Sequence, residues 1–127
     1  MTEVILTIFN VEVTRLLLSC LMPMVWLNDE VINLWMELMN ARDVVLVALD
    51  GRRRTYFCNS CFYSKLNEGN VYKYSNVRRW TKNIDIFDQE MVIIPVNNSN
   101  QHWCLAVIYM QKKEIAYYDS MNGSGNM

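Results

Sequence analysis

The amino-acid sequence predicts an α+β fold, in which helices from its first part pack on a small sheet formed by its last third. Three observations predict it: a helical pattern over residues 26–43, β-branched and aromatic runs after residue 90, and a hydrophobic content of 52% against 20% charged residues. That balance is typical of a globular chain, and 127 residues supply one core of modest size. Helices followed by consecutive strands, without internal repeats, favour a single domain over residues 1–127.

The N-terminal part predicts one strand and two helices. Residues 4–13 alternate loosely between apolar and polar side chains, which indicates a strand. Thr14 is a suitable cap for a short helix that Pro23 ends. Asn28 is a good N-cap for the second helix, and Asp29 lies in its first turn, where the helix dipole favours acidic residues.

The second helix carries apolar side chains on two faces, so we expect it to be central and buried. One stripe contains Ile32, Trp35, Met36 and Met39, and the other contains Leu27, Val31, Leu34 and Leu38. The apolar run at 44–49 ends at Asp50-Gly51, and its periodicity alone does not decide between a buried strand and a buried helix.

The middle of the chain predicts two short helices, over 55–66 and 74–83, separated by a turn-like "NEGN" segment. The basic run Arg52–Arg54 before them is typical of a solvated turn, with an anion-binding role as the alternative.

The last third predicts three consecutive strands, over 91–96, 102–110 and 114–119. About three polar residues join the second strand to the third, so these two should form an antiparallel hairpin with its turn near Lys112.

This hairpin should bring the only histidine of the chain to an acidic residue. His102 begins one strand and Asp119 ends the next, so both side chains should reach the same rim of the sheet. A carboxylate in that position can hold the tautomer of an imidazole and stabilise its protonated form, as a general base requires. In the alternative, His102 is a solvated residue at a strand end and Asp119 begins a turn.

The four cysteines predict reduced thiols in an intracellular protein, because no secretory signal precedes them. Cys58 and Cys61 have the spacing of half a zinc site or of a redox pair. A zinc site would need two further ligands, and His102 and Cys104 could supply them only by a coincidence of folding. Structural roles are therefore favoured for Cys58 and Cys61, and we expect neither a metal nor another cofactor.

Charge and hydropathy give no support for a nucleic-acid or membrane partner. The net charge is −1, which provides no long-range attraction for nucleic acid or for an anionic membrane. The apolar N-terminal segment is interrupted by Glu3, Asn10, Glu12 and Arg15, well short of the roughly 18 apolar residues that a span needs.

Four stretches of the sequence together resemble a known family. "WLNDEVINLWMELM", "VRRWTKNIDIF", "VIIPVNNSNQHWCLAVIYMQKK" and "YYDSM" are similar, in order and spacing from about Phe9 to Met121, to the catalytic domain of the SUMO-specific (Ulp/SENP) cysteine proteases. The resemblance implies a fold of the papain-like cysteine protease superfamily, de-SUMOylating isopeptidase and SUMO precursor processing activity, and a nuclear or nucleocytoplasmic location. It also implies SUMO and SUMO-conjugated proteins as partners.

The resemblance also assigns roles to individual residues. His102 matches the catalytic histidine of the family, and Asp119 matches its catalytic aspartate. Trp26 and Trp103 match the two indoles that line a narrow tunnel for the Gly-Gly tail of SUMO. Glycines lack a Cβ and so pass between closely spaced aromatic walls. Asp29 matches an acidic residue that meets a basic patch on SUMO.

The sequence departs from the family at the nucleophile. The cysteine nucleophile and the oxyanion-hole glutamine of the family lie beyond the "DSM" motif, and no cysteine follows Asp119 here. Cys104 shares a strand face with His102, which would place its sulfur on the wrong wall of the cleft. We therefore expect a C-terminally truncated protease domain that is inactive as given. The alternative is a catalytically inactive SUMO-binding fragment or pseudo-protease.

Overall fold

The computed structural model of the chain describes residues 2–70, 74–78, 82, 84–98 and 102–121. Within these residues, a two-stranded hairpin and a short helix lead into one long helix, and a four-stranded sheet follows. None of the helices in the described ranges has both the length and the apolarity needed to cross a membrane.

The N-terminal segment is a hairpin, where a single strand over 4–13 was predicted. Strand β1 (Val4–Ile8) pairs antiparallel with strand β2 (Val11–Thr14). The two turn residues, Phe9 and Asn10, have positive φ angles of 52° and 60°. A two-residue turn of this kind matches the twist of antiparallel strands. The turn was not predicted because the two strands share the same loose apolar alternation, which reads as one continuous strand.

Thr14 caps the first helix as predicted. Its side chain accepts a hydrogen bond from the backbone N–H of Leu17 at 3.0 Å, at the start of α1 (Arg15–Leu18). A 3₁₀ turn over Ser19–Leu21 continues the helix before Pro23.

The predicted N-cap of the long helix is confirmed. Helix α2 runs over Asp29–Asp50, and the Asn28 side chain accepts from the backbone N–H of Val31 at 2.7 Å. The undecided run at 44–49 is helical and forms the last turns of α2. Gly51 ends the helix with a φ of 70°, a left-handed conformation that glycine adopts without the strain of a Cβ.

The expectation that this helix is central and buried was wrong. Only Ile32 and Asp43 of α2 are buried, whereas Trp35 is 56% exposed and Leu49 is 77% exposed. The apolar stripes of the sequence therefore lie on an open groove and on the molecular surface, and an apolar pattern does not reveal which face a neighbour covers.

The sheet has four strands in the order β3-β4-β5-β6. Its strands are β3 (Thr55–Phe57), β4 (Met91–Asn98), β5 (His102–Tyr109) and β6 (Glu114–Tyr118). Strand β3 is parallel to β4, and the other neighbouring pairs are antiparallel, so the sheet is mixed. This confirms the α+β class, the three predicted strands and the tight hairpin near Lys112.

The two helices predicted for the middle of the chain were only partly right. Residues 55–57 form β3, and the helix α3 occupies only Phe62–Leu66. In the second segment, Tyr74–Asn76 form a 3₁₀ turn, and residues 79–81 and 83 lie outside the described residues. A three-residue strand carries too short a pattern to be recognised, because its partner β4 is far away in sequence.

Polar side chains attach α2 to the edge strand β3. Asn40 donates to the carbonyl of Phe57 and accepts from its N–H, both at 2.9 Å. One turn further on, the buried Asp43 accepts from the backbone N–H of Thr55 at 3.2 Å and from Arg54 Nε at 3.2 Å. These bonds pair backbone N–H and C=O groups on the outer edge of β3, and they fix the position of the helix.

The hydrophobic core lies on one face of the sheet. Its buried members are Cys58, Phe62, Val77, Val92, Ile94, Val96, Cys104 and Ala106. The other face looks toward α2 across an open space. The accessible surface of the chain is 9093 Å², whereas a compact monomer of 15.0 kDa has about 7,000 Å². Exposed apolar side chains of α2, such as Trp35 and Leu49, contribute to this excess.

Candidate functional site

The β5–β6 hairpin brings the histidine and the aspartate into contact. The register pairs Leu105 with Tyr118, so His102 and Asp119 fall at the same end of the hairpin. His102 Nε2 lies 2.6 Å from Asp119 Oδ1, and the two side chains are 20% and 6% exposed. The expected juxtaposition is therefore present in the folded chain, and the pair is shielded from bulk water on most sides.

The geometry of this contact selects one tautomer of the imidazole. An ionised carboxylate only accepts hydrogen bonds, so Nε2 of His102 carries the proton and Nδ1 is left as the acceptor nitrogen. Asp119 is itself held in place, because its Oδ1 also accepts from the backbone N–H of Met121 at 2.9 Å. The pair can thus present a basic Nδ1 while the carboxylate stabilises the protonated ring.

Trp26 covers one side of the histidine. The two rings meet edge to face, with centroids 6.3 Å apart and an angle of 75° between their planes. Trp26 is nevertheless 58% exposed, so most of its indole remains open to a ligand.

Trp103 fastens the segment that carries Trp26 to the sheet. Its indole N–H donates to the backbone carbonyl of Leu27 at 2.7 Å. The segment before α2 therefore passes the start of β5, and both predicted tryptophans lie beside His102. Asp29 is exposed in the first turn of α2, and none of its described contacts connects it with His102 or Asp119.

A third reactive side chain, Cys104, reaches the same cluster. One ligand atom from each of His102, Cys104 and Asp119 lies within 4.8 Å of the other two. Cys104 is only 6% exposed and packs in the hydrophobic core, which leaves little of its side chain open to a substrate. A hydrogen bond with Cys104, followed by burial, raises the pKa of Tyr117 to about 12.

Cys58 and Cys61 have different environments. Cys58 is 1% exposed, and burial raises the pKa of its thiol to about 12. Cys61 is exposed beside it. A thiol that resists ionisation is a poor metal ligand and a poor redox nucleophile, which supports the structural role favoured for this pair.

Each arginine of the basic run lies beside a carboxylate. Arg52 pairs with Asp50, Arg53 lies 3.7 Å from Asp88, and Arg54 lies 3.2 Å from Asp43. These contacts support a structural turn and leave the alternative of an anion site without further support.

An apolar groove of about 1010 Å³ opens between α2 and the strands β5 and β6. Its lining includes Leu27, Val31, Leu34, Leu38, Trp103, Leu105, Tyr118 and Asp119. The groove therefore begins at the His102–Asp119 pair and runs along α2. The family resemblance led us to expect exposed apolar patches on the helix and the strands but not a groove, and both apolar stripes of α2 contribute to its lining.

Comparison with known proteins identifies the family of the chain. Residues 25–127 match the model of the Ulp1 protease family, C-terminal catalytic domain. Sentrin-specific protease 2 from Rattus norvegicus is 36% identical over 124 residues, and ubiquitin-like-specific protease ESD4 from Arabidopsis thaliana is 35% identical over 120 residues. These matches cover 98% and 90% of this chain, but only 20% and 24% of the two relatives.

Solved structures give the same result. The C-terminal Ulp1 protease domain in complex with Smt3, the yeast orthologue of SUMO, superposes with a TM-score of 0.75 at 30% identity, covering 99% of this chain and 52% of that chain. The SUMO protease Ulp1 with its catalytic cysteine oxidised to a sulfenic acid gives a TM-score of 0.78 at 31% identity and is covered to 51%. This chain thus spans about half of those domains and shares their α+β papain-like fold. On its sequence and its fold, the chain belongs to the Ulp1 family of SUMO proteases.

Proposed function

We propose that this chain is the part of a SUMO-directed cysteine protease that carries the general base and the walls of the substrate channel. The observation that carries the proposal is the 2.6 Å contact between His102 and Asp119, with Trp26 packed edge-on against the same imidazole. A fixed tautomer with Nδ1 unprotonated is what a histidine needs in order to accept a proton from a thiol.

In the proposed reaction, His102 Nδ1 takes the proton of a cysteine thiol and Asp119 stabilises the resulting imidazolium. The thiolate attacks the carbonyl carbon of the isopeptide between the last glycine of SUMO and a lysine of the conjugated protein. His102 then returns its proton to the departing lysine amine. Processing of a SUMO precursor follows the same steps on a peptide bond.

The nucleophile, in this proposal, is none of the four cysteines of this sequence. Cys104 is buried in the core, and burial raises the pKa of Cys58 far above neutrality. Cys20 is buried in the turn before α2, and Cys61 lies on the segment that leads into α3. Because a general base without a nucleophile does not cleave amides, we expect no turnover by these 127 residues alone.

Substrate recognition is assigned to three side chains. Trp26 and Trp103 would flank the Gly-Gly tail, since the Trp26 ring packs against His102 and the Trp103 indole bonds the segment that carries Trp26. Asp29 would meet a basic patch on SUMO, and its exposure in the first turn of α2 leaves its carboxylate open to a partner. The related Ulp1 domain was solved with Smt3, which supports SUMO as the partner class. A nuclear or nucleocytoplasmic location is proposed on the same family grounds.

A second candidate function is SUMO binding without turnover by any form of the protein. This function needs only the contacts proposed for Trp26, Asp29 and Trp103, and none of these contacts depends on catalysis. The two functions share every binding contact and differ only in whether His102 ever activates a thiol.

The test combines a turnover assay with a binding assay. The chain is incubated with a SUMO C-terminal amide reporter and with a SUMO vinyl sulfone, and SUMO binding is measured by calorimetry. We expect no release of the reporter, no adduct, and saturable binding that Trp26→Ala or Trp103→Ala abolishes. Phe87→Ala, which changes an exposed aromatic residue outside the groove, is the control. Absence of SUMO binding by the folded chain would refute the proposal, and reporter turnover would show that the nucleophile was wrongly excluded.

A further inference from the structure

The side chain of Asn28 makes hydrogen bonds in two directions. Its Oδ1 accepts from the backbone N–H of Val31 at 2.7 Å, which caps α2. Its Nδ2 donates to the backbone carbonyl of Leu17 in α1 at 3.1 Å. Leu17 is only 6% exposed, so Asn28 joins the first turn of the long helix to a buried residue of the short one.

The bond to Leu17 goes beyond what a helix cap requires. Asn, Asp and Ser are all good N-caps, because each offers a side-chain oxygen to an N–H of the first turn. Of these three, asparagine alone carries an amide donor beside the capping oxygen, whereas an ionised aspartate only accepts hydrogen bonds. The amide of Asn28 therefore indicates a role in addition to capping α2.

The peptide bond before Asn28 belongs to the candidate site. It contains the Leu27 carbonyl, which accepts from the Trp103 indole N–H at 2.7 Å. Trp26 comes directly before Leu27, and its ring meets His102 edge to face. A peptide unit is planar, so a fixed backbone at Asn28 restricts the direction in which the Leu27 carbonyl points.

The segment that carries Trp26 has little packing of its own. Trp26 is 58% exposed and Leu27 is 41% exposed, so burial supplies only part of the free energy that holds them in place. Ordering such a segment costs conformational entropy, and a site that is ordered in advance avoids this cost on binding. Hydrogen bonds from the adjacent Asn28 can supply the order that packing does not.

We propose that Asn28 is a positioning residue for substrate binding. Its amide fixes the Leu27 carbonyl where Trp103 can donate to it, and this bond in turn keeps Trp26 against the imidazole. Asn28 acts through these residues and needs no contact with the substrate. The inference rests on the proposed function in one respect, namely that Trp26 flanks the tail of SUMO.

The experiment first compares Asn28→Asp and Asn28→Ala with the unmodified chain in the absence of SUMO. Asn28→Asp keeps the capping oxygen and loses the donor to Leu17, so its helix content by circular dichroism should equal that of the unmodified chain. In both variants we expect loss of the nuclear Overhauser contacts between the rings of Trp26 and His102. The indole N–H of Trp103 should exchange with solvent at least about fivefold faster, since its acceptor is no longer held in place.

Binding of SUMO to the same proteins is then measured by calorimetry. Both Asn28 variants should bind at least about fivefold more weakly, as expected for the loss of one ordering hydrogen bond. Asn40→Ala is the matched control, because it removes two hydrogen bonds between the same helix and Phe57, away from the candidate site. It should lower the stability of the chain and leave the ring contacts, the indole exchange rate and the affinity unchanged.

The inference is overturned if Asn28→Asp folds and keeps the ring contacts and the indole exchange rate of the unmodified chain. Equal effects of Asn40→Ala on these readouts would overturn it as well, because they would then follow from a general loss of stability. Asn28→Ser, whose hydroxyl can still cap α2, replaces any Asn28 variant that does not fold. Failure of the unmodified chain to bind SUMO would refute the proposed function, whereas the positioning of Trp26 is decided by the two measurements without SUMO.

Discussion

The indole N–H of Trp103 donates to the backbone carbonyl of Leu27 at 2.7 Å and joins two segments that are 76 residues apart in sequence. The neighbour of Leu27 is Trp26, whose ring meets His102 edge-on. One hydrogen bond therefore fixes the distance between the segment before α2 and the start of β5. It holds Trp26 beside the imidazole before any ligand is bound.

Replacing Trp103 by phenylalanine removes this bond while keeping an aromatic ring. We expect the free energy of unfolding to fall by about 1 kcal/mol, the usual net value of one such hydrogen bond. The proximity of Trp26 to His102, read from nuclear Overhauser contacts between their rings, should weaken. Trp35→Phe is the control, since Trp35 is exposed on α2. Equal stabilities of the two variants in urea denaturation would argue against the role given to this bond.

Replacing Asp119 by alanine should remove the preference of His102 for the tautomer that is protonated at Nε2. In the unmodified chain we expect ¹⁵N chemical shifts of a ring protonated at Nε2, because the carboxylate accepts at 2.6 Å. In Asp119→Ala the shifts should move toward a mixture of both tautomers. The measurement is simple because the sequence contains a single histidine. Asp88→Ala, which changes an exposed carboxylate, serves as the control, and identical shifts in all three proteins would contradict the assignment.

Asn40 should contribute to stability well beyond an ordinary polar residue of a helix. Its amide makes two hydrogen bonds with the backbone of Phe57, each of 2.9 Å. Asn40→Ala leaves a backbone donor and a backbone acceptor of β3 unpaired, so we expect a loss of about 2 kcal/mol in the free energy of unfolding. Arg42→Ala, at an exposed position of the same helix, should change it by less than about 0.5 kcal/mol. Similar losses for both variants in urea titrations would show that α2 is not held through Asn40.

The chain should lose stability as the pH rises from about 9 toward about 12. Burial raises the pKa of Cys58 from 9.0 to about 12, so in this window the unfolded chain gives up a proton that the folded chain keeps. Stability then falls with pH, by up to about 1.4 kcal/mol per pH unit for one group. The pKa values of Tyr56 and Tyr117 are also raised, which gives the same sign.

Substitution of Cys58 shows how much of the pH dependence of the free energy of unfolding comes from its thiol. Urea denaturation at a series of pH values should give a smaller slope for Cys58→Ala than for Cys61→Ala, whose thiol is exposed. Below pH 9, alkylation of the folded chain should modify Cys61 first and spare Cys58. Fast alkylation of both thiols under native conditions would contradict the burial of Cys58.

The uncovered groove should make the isolated chain bind hydrophobic molecules and self-associate. Its apolar lining and an accessible surface of 9093 Å² lead us to expect strong binding of a hydrophobic dye and self-association at micromolar concentration. Leu34→Glu, placed in the groove, should reduce both, whereas Leu49→Glu on the exposed end of α2 should reduce them less. A cooperative thermal transition of a purely monomeric chain, with no dye binding, would contradict this prediction.

The sequence by itself determined the features that depend on neighbours along the chain. Thr14 and Asn28 were recognisable as helix caps because a cap bonds to an N–H only three residues away. The contact of His102 with Asp119 was also within reach of the sequence. A tight hairpin fixes the register of its two strands, so residues at its open end must meet. The roles of Trp26, Asp29 and Trp103 came from the family resemblance.

Only the tertiary structure decided what depends on distant partners. The three-residue strand β3 exists because β4 pairs with it, and α2 lies over an open groove because polar bonds from Asn40 and Asp43 hold it at the sheet edge. Periodicity reports which residues are apolar and is silent about what covers them.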